Sequence, residues 1–401
     1  MSLDLSATLV QVEAAVRDLR ALGTERDARL AQALKVMAEA EGAAVNDRRS
    51  AGRVTWLVPT VPPSLVARVS PPPPPSSYRA LAVDGSHIDV DRHLPVRCAL
   101  VNVSKVALQY GPHPDARLES RPRLYAAPEE LSVADPEGVG EQPLEGQLLG
   151  IKRAVEEVVA LAELAEEAAA DGTPAVALVD GSLILWGLAG QAYPEYVRKA
   201  LIQEGLVPAL DRLQSVARQR PLAVAGYTSL PRATEVVNAL RLRVCPFSPV
   251  DCDRHCAGTR QGHRPCDDVG GLLDRELFRR LLEPGERSAI FASNSSVVRN
   301  HYGQNAIHFY YLNVGEEVAR VEVPAWVASD EQSLSLSHSL ILDQGLKGRG
   351  YPAAIMEAHE QAVISGPERE LFRQMVEEAL ARRRLDVYTS EKARSKRLRW
   401  V

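Results

Sequence analysis

The sequence predicts an α/β fold, and three observations carry that prediction. Two short apolar runs, Ala80-Leu81-Ala82-Val83 and Val176-Ala177-Leu178-Val179, read as buried strands, and each ends in the tetrapeptide Val-Asp-Gly-Ser. A segment of helical period with a broad apolar face, residues 146–170, runs straight into the second of them. A further helix over 193–219 and a strand over 222–226 then follow, giving the alternation of an α/β domain.

Upstream, residues 5–42 read as helix. Leu9, Val12, Val16 and Leu19 keep heptad spacing, and Leu30, Leu34 and Met37 continue the apolar stripe. Such a stripe needs a cover, either the main domain or a second subunit. Prolines then accumulate, with five in a row at 71–75. A proline run is stiff, extended and unable to join a sheet. The expected division is therefore an N-terminal helical, coiled-coil-like segment over 1–57, a proline-rich linker over 58–77, and a main domain over 78–380.

Within the main domain, the Val- and Leu-rich stretch 95–110 reads as strands of a meander, and 111–145, rich in Pro, Glu and Gly, reads as surface loops. Strand patterns return at 288–292, and 308–314 with 318–323 form a hairpin pattern around Gly315-Glu316-Glu317. Helix resumes from 351 to about 384. No tandem repeat is evident, so the doubled tetrapeptide points to shared chemistry rather than duplication.

Composition sets limits on function. The chain has 401 residues, 45% hydrophobic and 25% charged, the balance of a soluble globular protein. Its apolar runs fall short of the roughly 20 residues of a membrane span. Met1-Ser2-Leu3-Asp4 lacks the basic start and apolar stretch of a signal peptide, so a cytoplasmic location is expected. The net charge of −5 gives no global signature for nucleic acid. The tail 381–401 is basic, with Arg382, Arg383, Arg384, Lys392, Arg394, Lys396, Arg397 and Arg399 ahead of Trp400. It suits either a nucleic-acid backbone or a solvated terminus. Gly345-Leu346-Lys347-Gly348-Arg349-Gly350 is glycine-rich and basic but lacks the P-loop pattern, so ATP hydrolysis through a P-loop is not expected.

The chemistry resides in a few motifs. Asp84 and Asp180 each follow an apolar strand and precede a glycine, which puts carboxylates at a sheet edge. Paired carboxylates are what a divalent-metal phosphodiesterase site requires, although Asp-Gly-Ser is also ordinary turn chemistry. The helix before Asp180 carries Glu156, Glu157, Glu163, Glu166 and Glu167, most of which must face solvent. Pro352 suits the first turn of a helix that brings Tyr351 to its start and Glu357 and His359 two turns on. His87, Asp89, Asp91 and His93 alternate on a very polar run, either a solvated edge or a second metal cluster. Cys245, Cys252, Cys256 and Cys266 fall in a C-x6-C-x3-C-x9-C pattern, with His255 and His263 among them. This concentration argues for a metal, Zn²⁺ or an iron–sulfur cluster, more than for disulfides.

Taken in order, Val83-Asp84-Gly85-Ser86, the glutamate-bearing helix, Val179-Asp180-Gly181-Ser182-Leu183 and Gly350-Tyr351-Pro352 with Glu357-Ala358-His359 resemble the NurA nuclease family. Gly226-Tyr227-Thr228-Ser229-Leu230-Pro231-Arg232 adds to the match, which covers about 78–366. The resemblance implies an RNase H-like mixed sheet flanked by helices. It implies Mn²⁺- or Mg²⁺-dependent hydrolysis of DNA phosphodiester bonds, at DNA ends or in single strands. It further implies a homodimer working with a HerA-type hexameric translocase in DNA end resection and repair. Carried over by position, Asp84 and Asp180 are the metal-binding aspartates, Glu157 the third acid with Glu156 as its rival, and Tyr351 and His359 the late pair. His359 could orient water, shuttle a proton or bind the metal. Arg232 is a candidate for phosphate neutralisation. The Cys-rich insert 245–266 departs from the family pattern. The alternative reading is a catalytically weak DNA-end-binding or motor-adaptor subunit on the same fold.

Overall fold

The computed structural model describes residues 4–89, 96–138, 140–190, 192–260 and 262–383. In chain order these form helices α1 (Leu5–Ala38) and α2 (Gly42–Ala51), the two-residue strand β1 (Arg68–Val69), and the long strands β2 (Tyr78–Ile88), β3 (Ala99–Tyr110) and β4 (Asp115–Tyr125). Short strands β5 (Ser132–Ala134) and β6 (Glu141–Pro143) precede helix α3 (Gln147–Glu167) and strand β7 (Ala175–Asp180). Helix α4 (Glu195–Arg198), a π-helical stretch (Lys199–Leu206) and α5 (Val207–Ala217) lead to β8 (Leu222–Thr228). Next come α6 (Glu235–Val244), α7 (Cys252–Cys256), α8 (Asp274–Leu281), β9 (Arg287–Ser288), β10 (Phe291–Ala292) and α9 (Ser296–His301). The chain continues with β11 (Ile307–Asn313), β12 (Val318–Pro324) and helices α10 (Ala325–Ala328), α11 (Glu331–Lys347), α12 (Ala353–Ala362) and α13 (Gly366–Arg382).

The chain divides into two compact units. The first takes Met1–Ser70, Ser229–Asn294 and Phe309–Arg320; the second takes Pro71–Thr228, Ser295–His308 and Val321–Val401. This differs from the expected division. The N-terminal segment and most of the proline-rich stretch share one core with the region that holds the cysteines. Residues 58–70 are not a bare linker: Val58, Val61 and Leu65 are buried, Thr60 bridges Ala292, and Arg68–Val69 pair with β9.

In the second unit β2 is the hinge of the sheet. It pairs antiparallel with β3, which pairs antiparallel with β4, and it pairs parallel with β7, which pairs parallel with β8. The order β4-β3-β2-β7-β8, a three-stranded meander continued by two parallel strands, is the RNase H-like arrangement. Both β2 and β7 are buried along nearly their whole length, as their unbroken apolar runs require. Strand β4, by contrast, is an exposed edge carrying Arg117, Glu119, Arg121 and Pro122, the composition that blunts an edge. That composition is why 111–145 reads as loop from sequence. The C-terminal helix expected over 351–384 is two helices, broken after Ala362, and the strand expected at 288–292 is two short strands. Among the described residues no helix is long and apolar enough to cross a membrane.

In the first unit the second half of α1 buries Leu30, Ala33 and Met37 against Val45, Leu240 and Phe278. Phe278 stacks on Tyr311 at 4.5 Å and Phe291 on Phe309 at 5.5 Å. The first half of α1 leaves Leu5, Leu9, Val12 and Val16 exposed. Helix α6 has no cap of its own, because the Thr234 side chain makes no capping bond. The fully buried Asp274 supplies it. Its carboxylate accepts from the Val236 and Val237 N–H groups at 3.1 and 2.8 Å and from the Tyr311 hydroxyl at 2.7 Å.

Asp274→Ala therefore strips three buried donors of their acceptor. The expected cost is about 3 kcal/mol or more, at roughly 1–3 kcal/mol per buried group left unsatisfied, whereas Tyr311→Phe should cost only about 1 kcal/mol. Urea unfolding of the two variants checks this, and equal midpoints would refute the capping role.

Candidate active site

The parallel register sets Val83 beside Val179, so the next residues on the two strands, Asp84 and Asp180, stand side by side. Asp180 is the last residue of β7 and is followed by Gly181 at φ +111°, a strand end with a turn. Asp84 differs from the strand-end expectation. Strand β2 continues through Gly85, Ser86 and His87 to Ile88, paired all the way with β3. Only the pairing with β7 stops at Val83, and this leaves Asp84 at an open edge inside a continuous strand.

Helix α3 approaches at Gly85. A Cβ there would lie 2.5 Å from Glu157 Oε1 and 3.0 Å from Arg153 Cγ, so only glycine admits the helix this close. The Arg153 guanidinium donates to the Gly85 carbonyl and lies 3.4 Å from Glu157 Oε1. Glu157 is 3% exposed, and its Oε1 accepts no hydrogen bond. Glu156 points elsewhere, accepting from the Tyr125 hydroxyl and lying 3.2 Å from Lys152 Nζ. Burial drives the Glu157 carboxyl up to about 8. Arg153 pulls it down, and Asp84 and Asp180 push it further up. Burial also raises Asp180, against the lowering hydrogen bond from Tyr351.

Helix α12 brings the remaining groups. His359 Nδ1 lies 2.8 Å from Asp84 Oδ2, and the Tyr351 hydroxyl donates to Asp180 Oδ1 at 2.6 Å. Tyr351 is held edge-on to Tyr227 at 5.4 Å. The carbonyl end of α12 is fixed to the meander, where the Ser104 hydroxyl donates to the Ala358 carbonyl at 2.7 Å and Asn102 Nδ2 to the Ala362 carbonyl at 3.0 Å. Its amino end is fixed by the buried Gln344 of α11, whose Oε1 accepts from Ala354 N–H at 3.0 Å. The glycine-rich stretch 345–350 ends α11 and, from Gly348 on, forms the tight passage to α12. A Cβ on Gly348 would lie 1.9 Å from the Tyr351 carbonyl oxygen.

Asp84, Asp180 and His359 thus offer three ligand atoms within 4.8 Å of one another, and no other such trio occurs among the described residues. Glu157 stands beside this trio rather than in it. Carboxylate and imidazole donors suit a divalent cation, and a buried carboxylate oxygen without a hydrogen bond fits one too. The second tetrapeptide has a further support that sequence reading missed. Buried Glu322 accepts from the Ser182 hydroxyl at 2.6 Å and from Leu183 N–H at 2.9 Å. Its signal was an acid within the apolar run Val318–Pro324. Arg153, equally missed, gave no signal beyond its place four residues before Glu157.

None of the other described candidates joins this ligand trio. Arg232 is exposed and belongs to the first unit. His87 and Asp89 are described, Asp89 accepting from Gly146 N–H at 2.7 Å, while Asp91 and His93 lie outside the described residues, as does the tail beyond Arg383. Cys245, Cys252, Cys256 and Cys266 are free thiols in the first unit, and no three of them come within 4.8 Å. Burial raises the Cys256 thiol, with Cys252 and Cys245 adding to the effect. Burial also raises Cys266, opposed by Arg241.

The raised Glu157 has a measurable consequence. In metal-free protein the unfolded chain releases this proton near 4.5 and the folded chain only near 8, so folding retains a proton across that window. Stability should fall as pH rises from about 5 to 8 in EDTA. Glu157→Gln should flatten that slope in a melting-temperature series, and an unchanged slope would show that Glu157 is not the buried acid responsible.

The family model for the NurA domain matches residues 78–364, from the first residue of β2 to just past α12. Solved structures similar to this chain include the catalytic domain of human Endonuclease V, at 15% identity over 75% of this chain and 84% of that one with a TM-score of 0.33. They also include NurA with manganese, at 11% identity over 77% and 90% with a TM-score of 0.32. Argonaute of Aquifex aeolicus matches at 11% identity over 71% of this chain and 28% of that one, with a TM-score of 0.25. No curated protein matches the sequence. With the family model covering well over half of the sequence, the chain belongs to the NurA family of nucleases.

Proposed function

We propose that the chain is a divalent-metal-dependent deoxyribonuclease whose reaction centre is the cluster of Asp84, Asp180, Glu157, His359 and Tyr351. The observation that carries this reading is the convergence of Asp84, Asp180 and His359 from β2, β7 and α12 onto ligand atoms within 4.8 Å. Asp84 and Asp180, with Glu157 as the third acid, would hold Mn²⁺ or Mg²⁺. When bound, such a cation supplies positive charge against a phosphate and makes water more acidic.

The protein's own residues set the geometry. Tyr351 pins one oxygen of Asp180, which leaves the other to bind. With its Nδ1–H donated to Asp84, His359 keeps Nε2 as a base and can take or return a proton at the phosphodiester. Its side chain is 55% exposed, as a group that must meet a substrate from solvent should be. Arg153 balances the charge of Glu157 and is held in place by the Gly85 carbonyl.

The finer reading is cleavage at DNA ends or in single-stranded DNA, in the cytoplasm, by a homodimer working with a HerA-type hexameric translocase in end resection. Family membership supports the substrate class and the motor. The exposed heptad positions Leu5, Leu9, Val12 and Val16 support self-association. Arg232, an exposed cation of the first unit, would neutralise a backbone phosphate.

The direct test incubates single- and double-stranded DNA with protein and Mn²⁺. Cleavage is expected with wild type, none is expected in EDTA or with Asp84→Ala or Asp180→Ala, and His359→Ala should slow it by about a hundredfold or more. Equal cleavage by wild type and Asp84→Ala would reject the site.

A further inference from the structure

We propose that Trp186 is a nucleobase-stacking platform that fits the reaction centre to unpaired strands, an inference that rests on the nuclease reading above. Trp186 opens a short 3₁₀ turn, Trp186–Leu188, in the loop that follows Asp180. Its neighbours Leu183, Ile184, Leu185 and Leu188 are all buried, yet Trp186 is 41% exposed. It is the one aromatic among the large exposed hydrophobic side chains of the described residues. An indole left in solvent forgoes the large apolar burial that usually makes tryptophan a core residue.

The ring is held in this exposed position. Trp186 Nε1–H donates to Ser182 Oγ at 2.9 Å, and that hydroxyl donates in turn to the buried Glu322 at 2.6 Å while accepting from Ile184 N–H at 3.0 Å. Buried Tyr302 fixes the loop as well, its hydroxyl accepting from Leu185 N–H at 2.9 Å and donating to the Leu183 carbonyl at 3.0 Å. A ring already fixed loses little freedom when a ligand stacks on it. The serine of the second tetrapeptide thus anchors an indole, whereas Ser86 of the first donates to the Ala362 carbonyl.

The tether places the indole beside the carboxylates. Ser182 lies two residues past Asp180, so their Cα atoms are at most about 7 Å apart. Helix α12, which reaches the same aspartate through Tyr351, adds apolar surface of its own. On its exposed face Met356 stands one turn before His359 and Val363 one turn after, 41% and 44% exposed. Apolar and aromatic faces of this kind receive bases, while the metal-binding carboxylates are the part of the site that meets phosphate.

Stacking on an indole selects the state of the strand rather than its sequence, because every base has a π-face. In a duplex both faces of a base are covered by its neighbours, and freeing one requires unstacking. An unpaired strand or a frayed end offers the face without that penalty. Trp186 therefore favours single strands and open ends over intact duplex.

Fluorescence anisotropy with the full chain in EDTA tests this, using labelled oligothymidylate, its duplex with oligoadenylate, and an abasic strand of equal length. Trp186→Ala should weaken binding of oligothymidylate by about fivefold to a hundredfold, the range for loss of one base–aromatic stack, and leave the duplex and the abasic strand unchanged. Trp186→Phe should keep most of the affinity. Wild type that does not bind oligothymidylate, equal affinity of wild type and Trp186→Ala, or an equal loss on the abasic strand overturns the proposal. If Trp186→Ala fails to fold, saturating oligothymidylate should quench the tryptophan emission of wild type more than that of Trp186→Phe, and equal quenching overturns it. Binding is read without metal, so Asp84→Ala should show the same wild-type affinity. Cleavage that needs Asp84 beside binding that ignores Trp186 would reject the stacking alone, and the reverse would reject the nuclease reading alone.

Discussion

The parallel register between β2 and β7 is the constraint on which the site depends. Because Val83 is level with Val179, the residues that follow place two carboxylates next to each other at the point where the two strands part. A slip of one residue would turn one of the two acids to the other face of the sheet. The register runs through Ala80–Val176, Leu81–Ala177, Ala82–Leu178 and Val83–Val179, pairs buried in the core. Function and core packing are thus the same requirement here.

Placing two acids together has an electrostatic cost, which the surrounding groups are arranged to meet. The Tyr351 hydroxyl and His359 each take one carboxylate, and Arg153 faces the third acid across a gap that only glycine at position 85 leaves open. The buried Glu157 oxygen remains without a hydrogen bond. A protein retains such a group where a ligand completes it, because an unsatisfied buried carboxylate otherwise destabilises the fold. Helix α12 can present His359 only because its two ends are tied down by polar bonds, to Ser104 and Asn102 at one end and Gln344 at the other.

What the sequence revealed and what it hid follow from the range of the interactions. Strand runs, the two aspartates and the Tyr351–His359 pair are local patterns, and they were legible. Glu156 and Glu157 are adjacent on one helix, so their roles are separated only by partners elsewhere: Tyr125 on an edge strand for one, Gly85 for the other. That edge strand was itself unreadable, because its charged residues lack an apolar alternation. Helix α11 was missed for a related reason. It buries Ser337, His338, Ser339 and Gln344, which leave no clean apolar stripe to recognise. The first unit is assembled from three separated pieces of chain, and no local period records that Trp56 will meet Arg241 or that Asp274 will cap α6.

The central claim is that the register of β2 and β7 builds one cation site from Asp84 and Asp180. Crystals soaked in Mn²⁺ and measured at the manganese edge test it most directly. The account predicts an anomalous peak in contact with both aspartates, lost in Asp180→Asn. A peak bound elsewhere, or none at either aspartate under saturating Mn²⁺, would contradict it.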